Sequence, residues 1–98
     1  MISHIIIWSP TAHITYLEVL DYLQQNWTIR EIEAFINRTE QVIEYINQNP
    51  AYYPYSKESD TYKCIIVGQV SLFYRLNQQK IELLRFWDNR QNPAKLSL

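Results

Sequence analysis

Glycine is nearly absent from this sequence: Gly68 is the single one among 98 residues. A phosphate-cradling loop, whether a P-loop or a dinucleotide fingerprint, needs several glycines so that backbone can approach the phosphates, and both are excluded. Cysteine is as scarce. Cys64 alone builds neither a disulfide framework nor a thiolate zinc site, which fits a reducing, cytoplasmic compartment. Histidine occurs only at His4 and His13. Asp21, Glu40 and Glu44 do not combine with either at ligand spacing, so no metal site is expected. No run approaches the ~20 apolar residues of a membrane span. The opening Met1-Ile2-Ser3-His4-Ile5-Ile6-Ile7-Trp8 has no basic segment and breaks at Ser9-Pro10, unlike a secretory leader. Neither a cofactor nor a membrane partner is expected.

What is present reads as one globular domain over 1–98, with 47% hydrophobic and 19% charged residues. The net charge of −1 hides an asymmetry. Residues 1–49 hold two basic and six acidic side chains, a balance of −4. Residues 50–98 hold seven basic and four acidic ones, a balance of +3.

The β-branched run His4-Ile5-Ile6-Ile7-Trp8 predicts a strand. Ser9 then suits an N-cap and Pro10 the first helical position, where a missing N–H has no consequence. Ala12, Tyr16, Leu17, Leu20, Leu23 and Trp27 follow at helical spacing. Thr28-Ile29-Arg30-Glu31 has the capping-box pattern and starts a second helix, with Ile32, Phe35, Ile36, Val42, Ile43 and Ile46 on its apolar stripe. That helix ends at Asn49-Pro50, because the residue before proline avoids the helical region. A link of about two residues makes the helices an antiparallel hairpin. Two prolines and a polar run predict a loop without regular structure over 50–61. Three strands follow over 62–67, 70–76 and 80–87, turning at Gly68-Gln69 and Asn77-Gln78-Gln79. Strict alternation in the last strand groups Ile81, Leu83 and Trp87 with Arg85, against Glu82, Leu84, Phe86 and Asp88. The expected fold is α+β in the order β-α-α-β-β-β, with the helical hairpin on one face of a mainly antiparallel four-stranded sheet.

This order resembles the RelE/ParE superfamily of toxins from type II toxin–antitoxin modules, over essentially the whole chain. Trp8-Ser9-Pro10-Thr11-Ala12 is similar to its strand-to-helix junction. Tyr62-Lys63-Cys64-Ile65-Ile66 and Leu72-Phe73-Tyr74-Arg75-Leu76 are similar to its middle strands. Arg85-Phe86-Trp87-Asp88-Asn89-Arg90 is similar to the closing strand of the plasmid-stabilisation branch near ParE. The resemblance implies growth inhibition, neutralisation by a cognate antitoxin in a hetero-oligomer, and DNA gyrase as a target that is bound without chemistry. The alternatives are a RelE-like ribosome-dependent mRNA endoribonuclease, for which Arg85, Arg90 and Lys63 are the candidate catalytic residues, and a non-toxic module that keeps the fold.

A protein that acts by binding needs a surface rather than an acid and a base. Lys63, Arg75, Arg85, Arg90 and Lys95 are the candidate basic side of that surface, with Trp87 and Asp88 beside them. An acidic antitoxin segment is its first electrostatic match. Each cation singly also fits a solvated or ion-paired role, as in Asp88 with Arg90. Cys64, flanked by apolar residues in a strand, is expected to be buried and inert. Tyr52, Tyr53 and Tyr55 either staple their loop to the sheet or present rings to a partner.

Overall fold

A computed structural model describes residues 4–98; Met1–Ser3, the start of the segment weighed against a leader, lies outside the described residues. The chain runs β1 (Ile5–Trp8), α1 (Pro10–Asn26), α2 (Ile29–Gln48), β2 (Tyr55–Ser56), β3 (Thr61–Val67), β4 (Val70–Asn77) and β5 (Lys80–Asp88), then a 3-10 turn at Pro93–Lys95. Five strands form one sheet in the order β1-β5-β4-β3-β2. β1 is parallel to β5, and the remaining pairs are antiparallel. No helix among the described residues is long and apolar enough to cross a membrane.

Local chemistry sets the junctions. Ser9 Oγ accepts from Ala12 N at 3.0 Å and donates to Leu84 O at 3.0 Å, so one hydroxyl caps α1 and ties it to β5. Trp27 and Thr28 link the helices, and the Thr28–Glu31 capping box is complete, with both reciprocal bonds formed. The apolar stripes then meet the sheet. Leu23, Phe35, Val42 and Ile46 bury against Leu72, Tyr74, Ile81, Leu83 and Phe86, all almost fully inaccessible. Each such side chain contributes about 1.5–3 kcal/mol of burial.

Two expectations are corrected. The segment after Pro54 is not wholly irregular: Tyr55 and Ser56 pair with Tyr62 and Thr61 and make a fifth strand. Proline removes only its own donor, and Asp60 takes the left-handed conformation (φ 54°) that closes the turn, which a short polar side chain tolerates. The alternation of β5 also changes partway along. Phe73 faces Arg85 while Tyr74 faces Leu83, so Leu84 is an extra, bulged residue. The bulge brings Phe86 onto the core side with Ile81 and Leu83 and leaves Trp87 outside that core cluster. There Phe86 stacks on Trp8 (5.7 Å between ring centroids) and lies 5.0 Å from Tyr16.

Candidate functional site

The helices cover one sheet face. On the other, strand register sets Lys63, Phe73 and Arg85 in a row across β3, β4 and β5. Ile65, Ser71 and Trp87 form the next row. Lys63 Nζ lies 5.9 Å from the Phe73 ring centroid, and the Arg85 guanidinium 5.5 Å from that of Trp87. Two cations thus sit over two aromatic rings, an arrangement that attracts anions and stacks planar groups.

Residues 96–98 fold back on this face. Arg85 Nη1 donates to Ser97 O at 3.3 Å. A groove of about 550 Å³ runs between Leu96 and Leu98 on one side and β2 with its following loop on the other, over Lys63 and Phe73. Phe73 and Trp87 are each only 7% exposed. The Arg85 Nε is buried with no hydrogen-bond partner.

The other candidate cations are engaged elsewhere. Arg75 donates to the carbonyls of Ser59 and Asp60 at 3.0 Å each and pins the β2–β3 turn. Arg90 pairs with Asp88 at 2.7 Å, donates to Tyr22 Oη at 3.1 Å and lies against the Tyr22 ring, on the α1 side of the molecule. These bonds from Arg90 hold the Asp88 carboxyl below the usual carboxylate range. Lys95 is exposed in the 3-10 turn. Lys63, Arg85 and Trp87 therefore share one surface, while Asp88 and Arg90 order the chain beyond β5. The sequence reading missed Phe73, Leu96 and Leu98. The one signal for Phe73 was its place on the Ser71–Arg75 face of β4.

Neither histidine is near the row. His4 binds Asn47 at the end of α2, through its backbone N–H (2.9 Å) and through Nδ1 (2.8 Å to the carbonyl), and His13 is exposed on α1. No cluster of three or more metal-binding side chains occurs among the described residues.

Tyrosines fix the loop behind the sheet. Tyr74 Oη donates to Pro50 O at 2.7 Å, and Tyr53 packs on the core beside Cys64. Cys64 is buried, as its sequence context implied. Burial pushes its thiol up, raises Tyr53 to about 12, and raises Tyr74 as well. The folded chain therefore keeps protons that the unfolded chain releases as pH passes the reference values, about 8.5 for cysteine and about 10 for tyrosine. Stability is present below those values and is expected to fall as pH rises through them. Urea midpoints that decline steadily between about pH 8.5 and 11 would show it. A flat profile would refute it.

No protein-family model and no curated protein matches this sequence. Solved structures do. The chromosomal ParDE TA system from P. aeruginosa gives a TM-score of 0.72 at 13% identity, over 86% of this chain and 94% of that one. The YoeB dimer from Staphylococcus aureus gives 0.58 at 20% identity, over 85% and 93%. The YoeB-YefM complex from the same organism gives 0.56 at 20% identity, over 85% and 93%. The chain shares the fold of these structures, in line with the α+β order read from the sequence.

Proposed function

We propose that this chain is the toxin of a type II toxin–antitoxin module, held inactive by a cognate antitoxin and inhibiting growth by binding DNA gyrase. The observation that carries the reading is the match in fold to the ParDE system along most of both chains. The cationic row supports binding as the mode of action. It supplies charge and aromatic surface, while neither histidine lies where it could pass a proton.

Expression of the chain alone is expected to arrest growth, and co-expression of the neighbouring gene product to relieve the arrest. In vitro, micromolar protein is expected to inhibit gyrase supercoiling. The double substitution Lys63→Glu with Arg85→Glu is expected to weaken inhibition at least ~10-fold, since it reverses two charges facing an acidic partner. Unchanged supercoiling would overturn the gyrase target. Normal growth under strong expression would overturn the toxin reading and leave a non-toxic module of the same fold.

The Lys63–Phe73–Arg85 row also favours a second reading, a ribosome-dependent mRNA endoribonuclease. Two cations flanking a ring suit an RNA phosphate and a stacked base. That reading requires codon-linked cuts in translated mRNA that disappear with Arg85→Ala, and intact transcripts in arrested cells would remove it.

A further inference from the structure

We infer that the cleft between α2 and the loop after Pro50 is a binding site for a purine nucleoside monophosphate, with its base stacked on tyrosine rings and its phosphate on Arg38. The cleft has a volume of about 360 Å³ and is lined by Arg38, Gln41, Val42, Tyr45, Tyr52 and Tyr53. That is the low end of the ~300–1,000 Å³ of small-molecule sites, room for one nucleotide. It lies on the helix-covered side of the sheet, away from the Lys63–Phe73–Arg85 row.

The two roles open to the loop tyrosines are divided between neighbours. Tyr53 is the staple: it packs against the core, 6.5 Å from the Tyr74 ring centroid. Tyr52 is 67% exposed and Tyr45 41%. The Tyr45, Tyr52 and Tyr53 rings stand nearly perpendicular to one another, at 78–90°, with centroids 5.1–6.2 Å apart. Tyr45 and Tyr53 thus brace Tyr52, and a braced, exposed ring is a platform for a planar base. The Gln41 amide in the same wall offers a donor and an acceptor, the pair that reads an adenine edge.

Charge selects an anion. Arg38 is the one charged residue in the lining. Its Nε donates to the Ile66 carbonyl at 3.3 Å, which orients the guanidinium, and neither terminal amino group has a partner among the described residues. A phosphate suits that fork. At about 100° per residue, Arg38, Gln41, Val42 and Tyr45 share one stripe of α2, and Glu33, Glu40 and Glu44 fall outside it. Glu40 acts instead on Tyr16, and Glu44 accepts from Gln48 at 3.2 Å. Aromatic rings alone would also draw a quaternary ammonium ion, and the guanidinium in the same wall opposes one. Neither growth inhibition nor gyrase enters this inference, so either can fail alone.

The test is calorimetric titration of the full chain with AMP, adenosine, inorganic phosphate, tetramethylammonium and hexa-adenylate RNA. AMP is expected to bind with a dissociation constant of about 1 mM or below. Adenosine and phosphate, each carrying half of the recognised chemistry, are expected to bind at least ~10-fold more weakly. Tyr52→Ala is expected to weaken AMP at least ~10-fold and Tyr52→Trp to retain it, which separates stacking from folding. Arg38→Gln is expected to bind AMP and adenosine equally, a change of preference that loss of folding could not produce. Lys63→Glu with Arg85→Glu, on the opposite face of the sheet, is expected to leave AMP binding as it is. AMP no tighter than adenosine, tetramethylammonium bound in its place, or hexa-adenylate bound more tightly than AMP would each overturn the inference. So would a Tyr52→Trp variant as weak as Tyr52→Ala, or AMP binding lost with the Lys63 and Arg85 changes.

Discussion

Phe35→Ala is expected to destabilise the protein by about 3–5 kcal/mol, the range for truncating a buried phenylalanine. Phe35 is completely inaccessible. Its ring stacks on Tyr16 at 5.8 Å, and Tyr16 in turn meets Trp8 at 5.4 Å and Phe86 at 5.0 Å. It is the α2 end of a chain of rings that passes through α1 into β5 and β1. Truncation leaves a cavity whose far wall is a rigid sheet, so collapse is limited. A domain of this size has about 5–15 kcal/mol in all, and the melting temperature should fall by roughly 12 °C or more. Ile29→Ala, on the same helix but 75% exposed, is the control and should change stability by less than about 0.5 kcal/mol. Similar melting temperatures for the two variants would contradict this account of the core.

Thr15→Val tests the joint between helix and sheet. Thr15 is 6% exposed, and its hydroxyl accepts from the Phe86 amide at 2.9 Å while donating to the Thr11 carbonyl at 2.7 Å. Beyond Trp8, α1 replaces a strand along this edge of β5, and the threonine oxygen stands in for the missing ladder acceptor. Valine keeps the shape and removes the acceptor, leaving a buried N–H unsatisfied at a cost of about 1–3 kcal/mol. The Phe86 amide should exchange with solvent faster than in the parent by more than the global loss of stability explains. Exchange that follows global stability alone would show that water or another group takes over the bond.

Local signals carried the helices. The Ser9-Pro10 and Thr28–Glu31 caps and the 3.6-residue spacing of Phe35, Val42 and Ile46 act within a few residues, so they are legible without a fold. The sheet face was legible only up to its bulges. A strict two-residue turn at Gly68-Gln69 would set Lys63 opposite Tyr74. The irregularity between Ile65 and Val67 sets it opposite Phe73 instead. Nothing in a short stretch of side chains announces such a bulge, because it answers to the packing of both faces at once. The charge asymmetry between the halves was visible, but not its division. Arg75 meets Asp60 and Arg90 meets Tyr22 across turns and elements that only the fold brings together. Leu96 and Leu98, near the end of a polar run, carried no sign that they lie on the candidate site.

The parallel pairing of β1 with β5 has a consequence for how the chain is made. Ser9 meets Leu84, a residue 75 positions later. At a synthesis rate of about 5–20 residues per second, β1 waits about 4–15 s before its partner strand exists. The helical hairpin needs no such delay, since its contacts are local and form on the microsecond scale. Through that interval Ile5, Ile6 and Ile7 form an unpaired β-branched edge, the kind of segment that seeds aggregation between nascent chains. Translation speed and chaperone supply, rather than final stability, are then expected to set how much native protein a cell accumulates.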